Sequence, residues 1–559
     1  MKKSILLTLL TCYYLSLLGQ TDQMVYYKKV IEYLASDELE GRLTGMPGEL
    51  KSAQFIQQEM INFGLKGGNN DTFIQEFDYP YLRIASSKSK LFIGDTTGAN
   101  DFAYGKEFVL LSECANRASI NAQVYDAGYG ITYAKKGHDD YDKFENTDSG
   151  KVFLIKLGHP ENDNPHSAFG FVSGIKSKIK NALAHGASGI LFHNPDSLEN
   201  VPSGKLKKNV TPSKIPIAFT SLNLGETKNL VEIGIEARIE TVLKQGHNVI
   251  GVYVRNPKKK YLVIGAHHDH IGRAELGNSR STGQEIHNGA DDNASGIAMM
   301  LHLAKTLPNH KAFKKYNLIF VAFSGEELGL LGSKYFVKNC PIDTAQILAM
   351  INFDMVGRLN ISNHTAVING IGTSPYWKKR MKRIKLDTSQ FRINTTDGGI
   401  GASDHTSFYL ANIPAVHLFS GQHREYHMPE DDVELINYPG MLLIEDYTIK
   451  LICKIPKRKR KFRTTKNTNH TPTQFKVTLG VMPDYTFGGA GMRLDNVSSG
   501  KSADKAGLLR NDIITKMGIH EVGNVEEYMH ALSKFKKGDT IDVVILRNGI
   551  SITKKLTFL

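Results

Sequence analysis

Three short runs of consecutive apolar residues stand out from a mixed polar background: Tyr261 to Ala266, Asn317 to Phe323 and Ile347 to Phe353. Each is rich in β-branched or aromatic side chains, and stretches of helix-like spacing separate them. Runs of this length suit strands buried on both faces, so the pattern predicts an α/β fold with a mixed, mostly parallel sheet flanked by helices. Helical spacing also runs from about Asp22 to Lys66, as in SAQFIQQEMINFGLK, and predicts helices packed on that sheet. The main domain is assigned to residues 20–105 and 248–455. Between residues 106 and 247 the pattern changes to shorter strands and turns, in NAQVYDAG, GKVFLIKLG, KIKNALAHGASGILFHN and KIPIAFTSLNLGETKNLV, which predicts a β-rich insertion. A basic linker over 456–471 and a compact module over 472–559 complete the chain.

Polar residues that suit divalent metals follow the apolar runs or lie between them. They are His267 in YLVIGAHHDH, Asp291 in NGADDNASG, Glu326 and Glu327 in FSGEELGLLGS, Asp354 in INFDMVG and His427 in EYHMPEDD. In parallel α/β sheets, sites gather at the carboxyl ends of strands, and His267, the glutamate pair and Asp354 fall there. Imidazole and carboxylate groups without thiolate fit zinc or a similar borderline metal. Five ligands are too many for one catalytic ion. If Asp291 bridges, each of two metals receives that carboxylate and two further groups, with a water or hydroxide completing the pair at roughly 3.5–4 Å separation. Glu327 can then ligate while Glu326 faces the water as general base. Asp269 is placed to accept the other N–H of His267.

The segments GAHHDHIG, HNGADDNASG, FSGEELGLLGS, INFDMVGR, SDHTSF and YHMPEDD resemble the signatures of the metallopeptidase family 28 aminopeptidases. The resemblance runs from LASDELEGRLTGMPGE to about Cys453. It implies two zinc ions, with Asp291 as the bridge, His267 and Asp354 completing one site, Glu327 and His427 the other, and Glu326 as the base. It also implies a cis peptide between Asp291 and Asp292. Loops such as Gly398 to Phe408 and Ser420 to Tyr426 are expected to line the pocket. Asp404 and His405 either line the cleft for substrate, or Asp404 caps the helix that follows. The insertion resembles a protease-associated domain, in which His159, His166, His185 and His193 read as ordinary surface or core histidines. The C-terminal module, with LGVM and GMRLDNVSSGKSADKAGLLRNDIITKMG, resembles a bacterial PDZ domain. Such a module takes an extended C-terminal peptide at a sheet edge, and the Leu479-Gly480-Val481 turn would present N–H groups to its carboxylate.

Composition narrows the setting. The first 19 residues have a Lys2-Lys3 pair, an apolar stretch from Ile5 to Leu18 and a small residue, Gly19, and read as a cleaved secretory signal. The stretch is shorter than the roughly 20 residues of a spanning helix, so the mature chain is expected to be secreted or periplasmic, without a transmembrane segment. Thr11 before Cys12 and the apolar Tyr13 to Leu18 after it argue against a lipid anchor. Cys114, Cys340 and Cys453 remain after cleavage, too few for a disulfide framework. Of the net charge of +13, Lys454 to Lys466 contributes 8 and the leader 2, so the body is nearly neutral. A charge confined to a tether, with no recognition module beside it, argues against a nucleic-acid partner. The expected function is a zinc exopeptidase acting on N-termini of peptide or protein substrates. A carboxypeptidase or glutaminyl cyclase of the same superfamily would use nearly the same ligands. A PDZ scaffold with an idle peptidase body fits poorly with the full ligand set and Glu326.

Overall fold

The computed structural model describes residues 20–559 apart from 96–97, 165–166, 208–209, 223, 225–229, 277–278, 282, 311–314, 456–460, 466–476, 485–486, 488 and 499. The expected leader and His166 lie outside the described residues. The chain divides at Phe77/Asp78 and Lys244/Gln245 into two compact units.

In the first unit the three apolar runs are strands, Tyr261–His267, Asn317–Phe323 and Ile347–Phe353, each buried along its whole length. They pair in parallel with Tyr261–His267 in the middle, so that Tyr261 lies against Asn317 and His267 against Phe323. Outside Ile347–Phe353 runs Ala415–Phe419, in parallel. Thr365–Asn369 follows, antiparallel, and Arg392–Thr395 pairs in parallel at the edge. On the other side the end of Leu230–Tyr253 pairs antiparallel with Asn317–Phe323. The sheet is therefore mixed and mostly parallel.

Side chains alternate between the two faces, as the pleat requires. Leu262, Ile264, Phe320, Ala322, Ile351 and Phe353 pack under the helices 20–34, Pro47–Asn62, Gly296–Thr306 and Tyr438–Ile452. Val263, Ile319, Val321, Phe323 and Met350 face the other way, onto Phe336 of Leu331–Lys338 and Phe408 of His405–Leu410. Truncating one buried aromatic of this kind typically costs about 3–5 kcal/mol. Strand ends on such a platform hold their side chains rigidly. Among the described residues no helix is long and apolar enough to cross a membrane.

The second unit begins at Asp78, not near residue 106. The reason lies in pairing: Lys90–Asp95 joins Gly98–Ala103 and also the first half of Leu230–Tyr253, so these residues belong to the insertion's sheet. Arg117–Asp126, Val152–Lys156, Gly189–His193 and Ile217–Thr220 then run parallel in that order, beside the helix Ile175–Ala184. Their core includes Phe153, Ile190, Phe192 and Phe219. Here His193 is buried and His185 stacks on Tyr141 at 4.0 Å. Among the described residues, Cys114, Cys340 and Cys453 are free thiols.

The C-terminal segment has its own core, from Leu479, Met492, Ile514, Val543 and Leu556. Leu479 is fully buried, and Gly480 adopts φ +73 while its N–H donates to Thr478 Oγ1 at 3.0 Å. The linker differs from a plain tether over 461–465. Phe462 packs on the Tyr409 ring at 5.5 Å, Thr465 N–H donates to the Tyr409 hydroxyl at 3.1 Å, and Arg463 N–H donates to Thr373 O at 2.8 Å. These five residues are part of the α/β body.

Candidate metal centre

His267 closes its strand, Glu326 and Glu327 follow Asn317–Phe323 after a Ser324-Gly325 turn, and Asp354 directly follows Ile347–Phe353. The glutamate turn is fastened by buried Asn248, whose Oδ1 accepts from Ser324 N–H at 3.0 Å and whose Nδ2 donates to Gly332 O at 2.9 Å. At Gly332 a Cβ would lie 2.2 Å from both Asn248 Oδ1 and Ser324 O, so glycine is required. His427 is held in the left-handed region, at φ +55, and its carbonyl accepts from Arg280 N–H at 3.1 Å.

Asp292, not Asp291, stands between the histidines. Its Oδ1 lies 3.4 Å from His267 Nε2, and its Oδ2 lies 3.3 Å from His427 Nε2. His267 Nε2 is also 3.3 Å from Asp354 Oδ1, and His427 Nε2 is 3.1 Å from Glu327 Oε2. Two groups result, His267 with Asp292 and Asp354, and His427 with Asp292, Glu327 and His270. In each, one ligand atom per residue lies within 4.8 Å of the others. The expected bridging position is therefore corrected by one residue. Asp291 points the other way: its Oδ1 accepts from Gly357 N–H at 2.6 Å and Ser295 Oγ at 2.9 Å, and its Oδ2 lies 3.3 Å from His423 Nε2. The cis bond likewise falls at Asp292-Asn293, one position later than expected. Asn293 ties the turn down, donating to Phe353 O at 3.0 Å and accepting from Gly296 and Met355 N–H.

Asp269 has a different task from the one expected. The nearest acceptor to His267 Nδ1 is the Asp269 carbonyl, at 3.1 Å, whereas its carboxylate is 3.7 Å away. That carboxylate accepts from Glu326 N–H at 3.1 Å and Thr44 Oγ1 at 2.9 Å. It thus joins the histidine segment to the glutamate turn. Asp404 is buried at the start of His405–Leu410 and does not cap that helix. His405, also buried, stacks on His417 at 5.0 Å. Both side chains lie inside the fold, with Asp404 in electrostatic reach of Glu326 and His267.

Two neighbours carried no expected role: His270, whose Nδ1 is 2.9 Å from Glu327 Oε1, and Asp431, whose carboxylate accepts from the N–H groups of Asp291 and Asp292. Tyr426, at the end of a loop expected to line the pocket, stacks on His427 at 4.0 Å. The cluster HHDH and the run EDD carried a signal for His270 and Asp431, an excess of ligand-type residues beside an assigned ligand.

Charge in this nest is unbalanced. Burial opposes a proton on His427, yet Glu327 and Asp292 raise it to about 11. Burial also opposes charging of His267, but Asp354, then Glu326 and Asp292, hold it well above the usual imidazole range. Burial pushes the Glu326 carboxyl well up, with Asp354 and Glu327 adding to the effect. Carboxylates gathered this closely, with imidazoles and no thiolate among them, form a donor set that fits two divalent cations of the zinc type.

Residues 248–452 match the model of peptidase family M28, and residues 463–557 match that of the PDZ domain. The chain thus carries a family M28 peptidase domain followed by a PDZ domain. It is 25% identical over 460 residues to aminopeptidase YwaD of Bacillus subtilis, covering 77% of this chain and 85% of that one. An aminopeptidase of Pseudomonas aeruginosa is 24% identical over 423 residues, covering 72% of this chain and 71% of that one. Among solved structures, a zinc aminopeptidase from Bacillus subtilis aligns over 79% of this chain and 96% of its own, at 23% identity and a TM-score of 0.43.

Proposed function

We propose that this chain is a zinc-dependent aminopeptidase that removes residues from peptide N-termini. The observation that carries the reading is Asp292, whose two oxygens face two separate sets of histidine and carboxylate ligands. His267, Asp292 and Asp354 would hold one zinc ion, and Asp292, Glu327 and His427 the other, with His270 beside the second. When bound, such a pair polarises the scissile carbonyl and lowers the pKa of water.

The protein's own groups then divide the work. Glu326 belongs to neither ligand group and acts on His267 electrostatically, which suits a base that takes a proton from the attacking water and delivers it to the leaving amine. Asp269 fixes the Glu326 main chain. His267 donates its Nδ1 proton to the Asp269 carbonyl, leaving Nε2 free to ligate.

The relatives named aminopeptidases support the choice of N-terminal over C-terminal cleavage. The leader supports export to the periplasm or beyond. The PDZ domain is proposed to bind free C-terminal peptides along Val481–Pro483, with carboxylate capture at Leu479-Gly480-Val481. The test is hydrolysis of aminoacyl chromogenic substrates. Activity should vanish with a chelator, return with zinc, and be absent on N-acetylated analogues. Equal cleavage of acetylated and free substrates would defeat the aminopeptidase reading.

A further inference from the structure

Arg42 is 1% exposed, and its guanidinium is spent on main-chain carbonyls. Nε donates to His268 O at 2.9 Å, Nη2 to Gly289 O at 3.0 Å, and Nη1 to Asn288 O at 2.7 Å and to Leu34 O. His268 directly follows one proposed ligand, and Asn288 and Gly289 lead into the turn that carries Asp292. The Arg42 main chain meets the same segment, its carbonyl accepting from His270 N–H at 3.1 Å, while Gly41 O accepts from Gly272 N–H at 2.9 Å. Glu40, Gly41 and Arg42 are all left-handed, at φ 46, 70 and 49. At Gly41 a Cβ would lie 2.6 Å from the carbonyl oxygens of Gly272 and His287. This close approach brings the arginine between the two segments.

We propose that Arg42 is a positioning residue for the metal centre: its planar fork fixes residues 268–272 against 288–292, and so sets His267 and His270 at the distance from Asp292 that shared cations need. The inference rests on the proposed metal centre. Asp292, Asp269, Asp431 and Glu327 all lie within electrostatic reach of the guanidinium. A buried cation there lets several carboxylates stand close together before any metal arrives. Lysine carries the same charge but only one nitrogen, which cannot span His268, Asn288 and Gly289 at once.

The test compares zinc affinity, by competition with a chromogenic chelator, in the wild-type chain, Arg42→Lys and Arg83→Lys. Arg83 is a similarly buried arginine that donates to Ser112 O, Cys114 O and Asn116 Oδ1 in the inserted unit. Arg42→Lys should weaken zinc binding by about 10–100-fold, the usual cost of losing a group that orients metal ligands. Arg83→Lys should lower thermal stability and leave zinc affinity unchanged. Hydrogen exchange in the zinc-free wild-type protein gives a second reading, needed if Arg42→Lys does not fold: the amides of His270, Gly272 and Ala290 should already be protected. The proposal is overturned if Arg42→Lys binds zinc within about twofold of wild type, if Arg83→Lys is weakened equally, or if those amides become protected only when zinc is added. A wild-type chain that bound no zinc would refute the proposed function and the clamp together, whereas normal binding in Arg42→Lys removes the clamp alone.

Discussion

Asp291 and Asp292 have the same side chain, sit side by side, and have opposite surroundings. Asp291 is consumed by Gly357, Ser295 and His423, and Asp292 faces His267 and His427. Asp292→Asn should therefore empty both metal positions, read as zinc per chain by elemental analysis. Asp291→Asn should keep zinc and lose stability, because hydrogen bonds to a charged acceptor are worth about 1.5–3 kcal/mol each. Loss of zinc from Asp291→Asn with retention in Asp292→Asn would reverse the assignment. Glu326→Gln should hold both metals and the fold while turnover drops about 10²–10⁴-fold, the usual contribution of a general base. Near-normal turnover would remove Glu326 from that role. His267, Asp354 and the glutamate pair were legible in the sequence because each lies at or just beyond the end of an apolar strand, whose register fixes where the next side chains can go. The choice between two aspartates was not legible. It is made by Asn293, held by Phe353, Gly296 and Met355, and by Asp431, which takes the N–H groups of both aspartates. All of those contacts except the one to Gly296 join segments that are 60 to 140 residues apart in the chain.

At the scale of elements, full burial on both faces made the central strands readable as unbroken apolar runs. Edge elements read less well. Gly98–Ala103 is almost wholly exposed, so its sequence carries no core signal and its membership in the inserted unit emerges only from pairing with Lys90–Asp95. The linker misled in the other direction: its basic charge reads as solvated tether, yet Phe462 and Thr465 supply one ring contact and hydrogen bonds to Tyr409. Tyr409 belongs to the helix that opens at Asp404 and His405. A chain ending after Thr465 should thus cleave short aminoacyl substrates as the full chain does. A chain ending at Lys457 should melt several degrees lower, at roughly 2–4 °C for each kcal/mol lost. Equal melting temperatures for the two would show that 461–465 contributes nothing to the body.

For the molecule as a whole, the ligands come from five segments between His267 and His427, so the centre exists only when the α/β unit is folded. Metal binding and folding stability are then linked, since any ligand bound by the folded state alone stabilises it by mass action. The PDZ domain, by contrast, has its own core and contributes none of these ligands. The proposed function stands on one carboxylate, Asp292, shared by two cations. Anomalous diffraction at the zinc edge from crystals of the zinc-loaded protein tests it most directly. Two peaks roughly 3.5–4 Å apart are expected, one beside Oδ1 of Asp292 with His267 and Asp354, the other beside Oδ2 with Glu327 and His427. A single peak, or a pair bridged by Asp291, would contradict it.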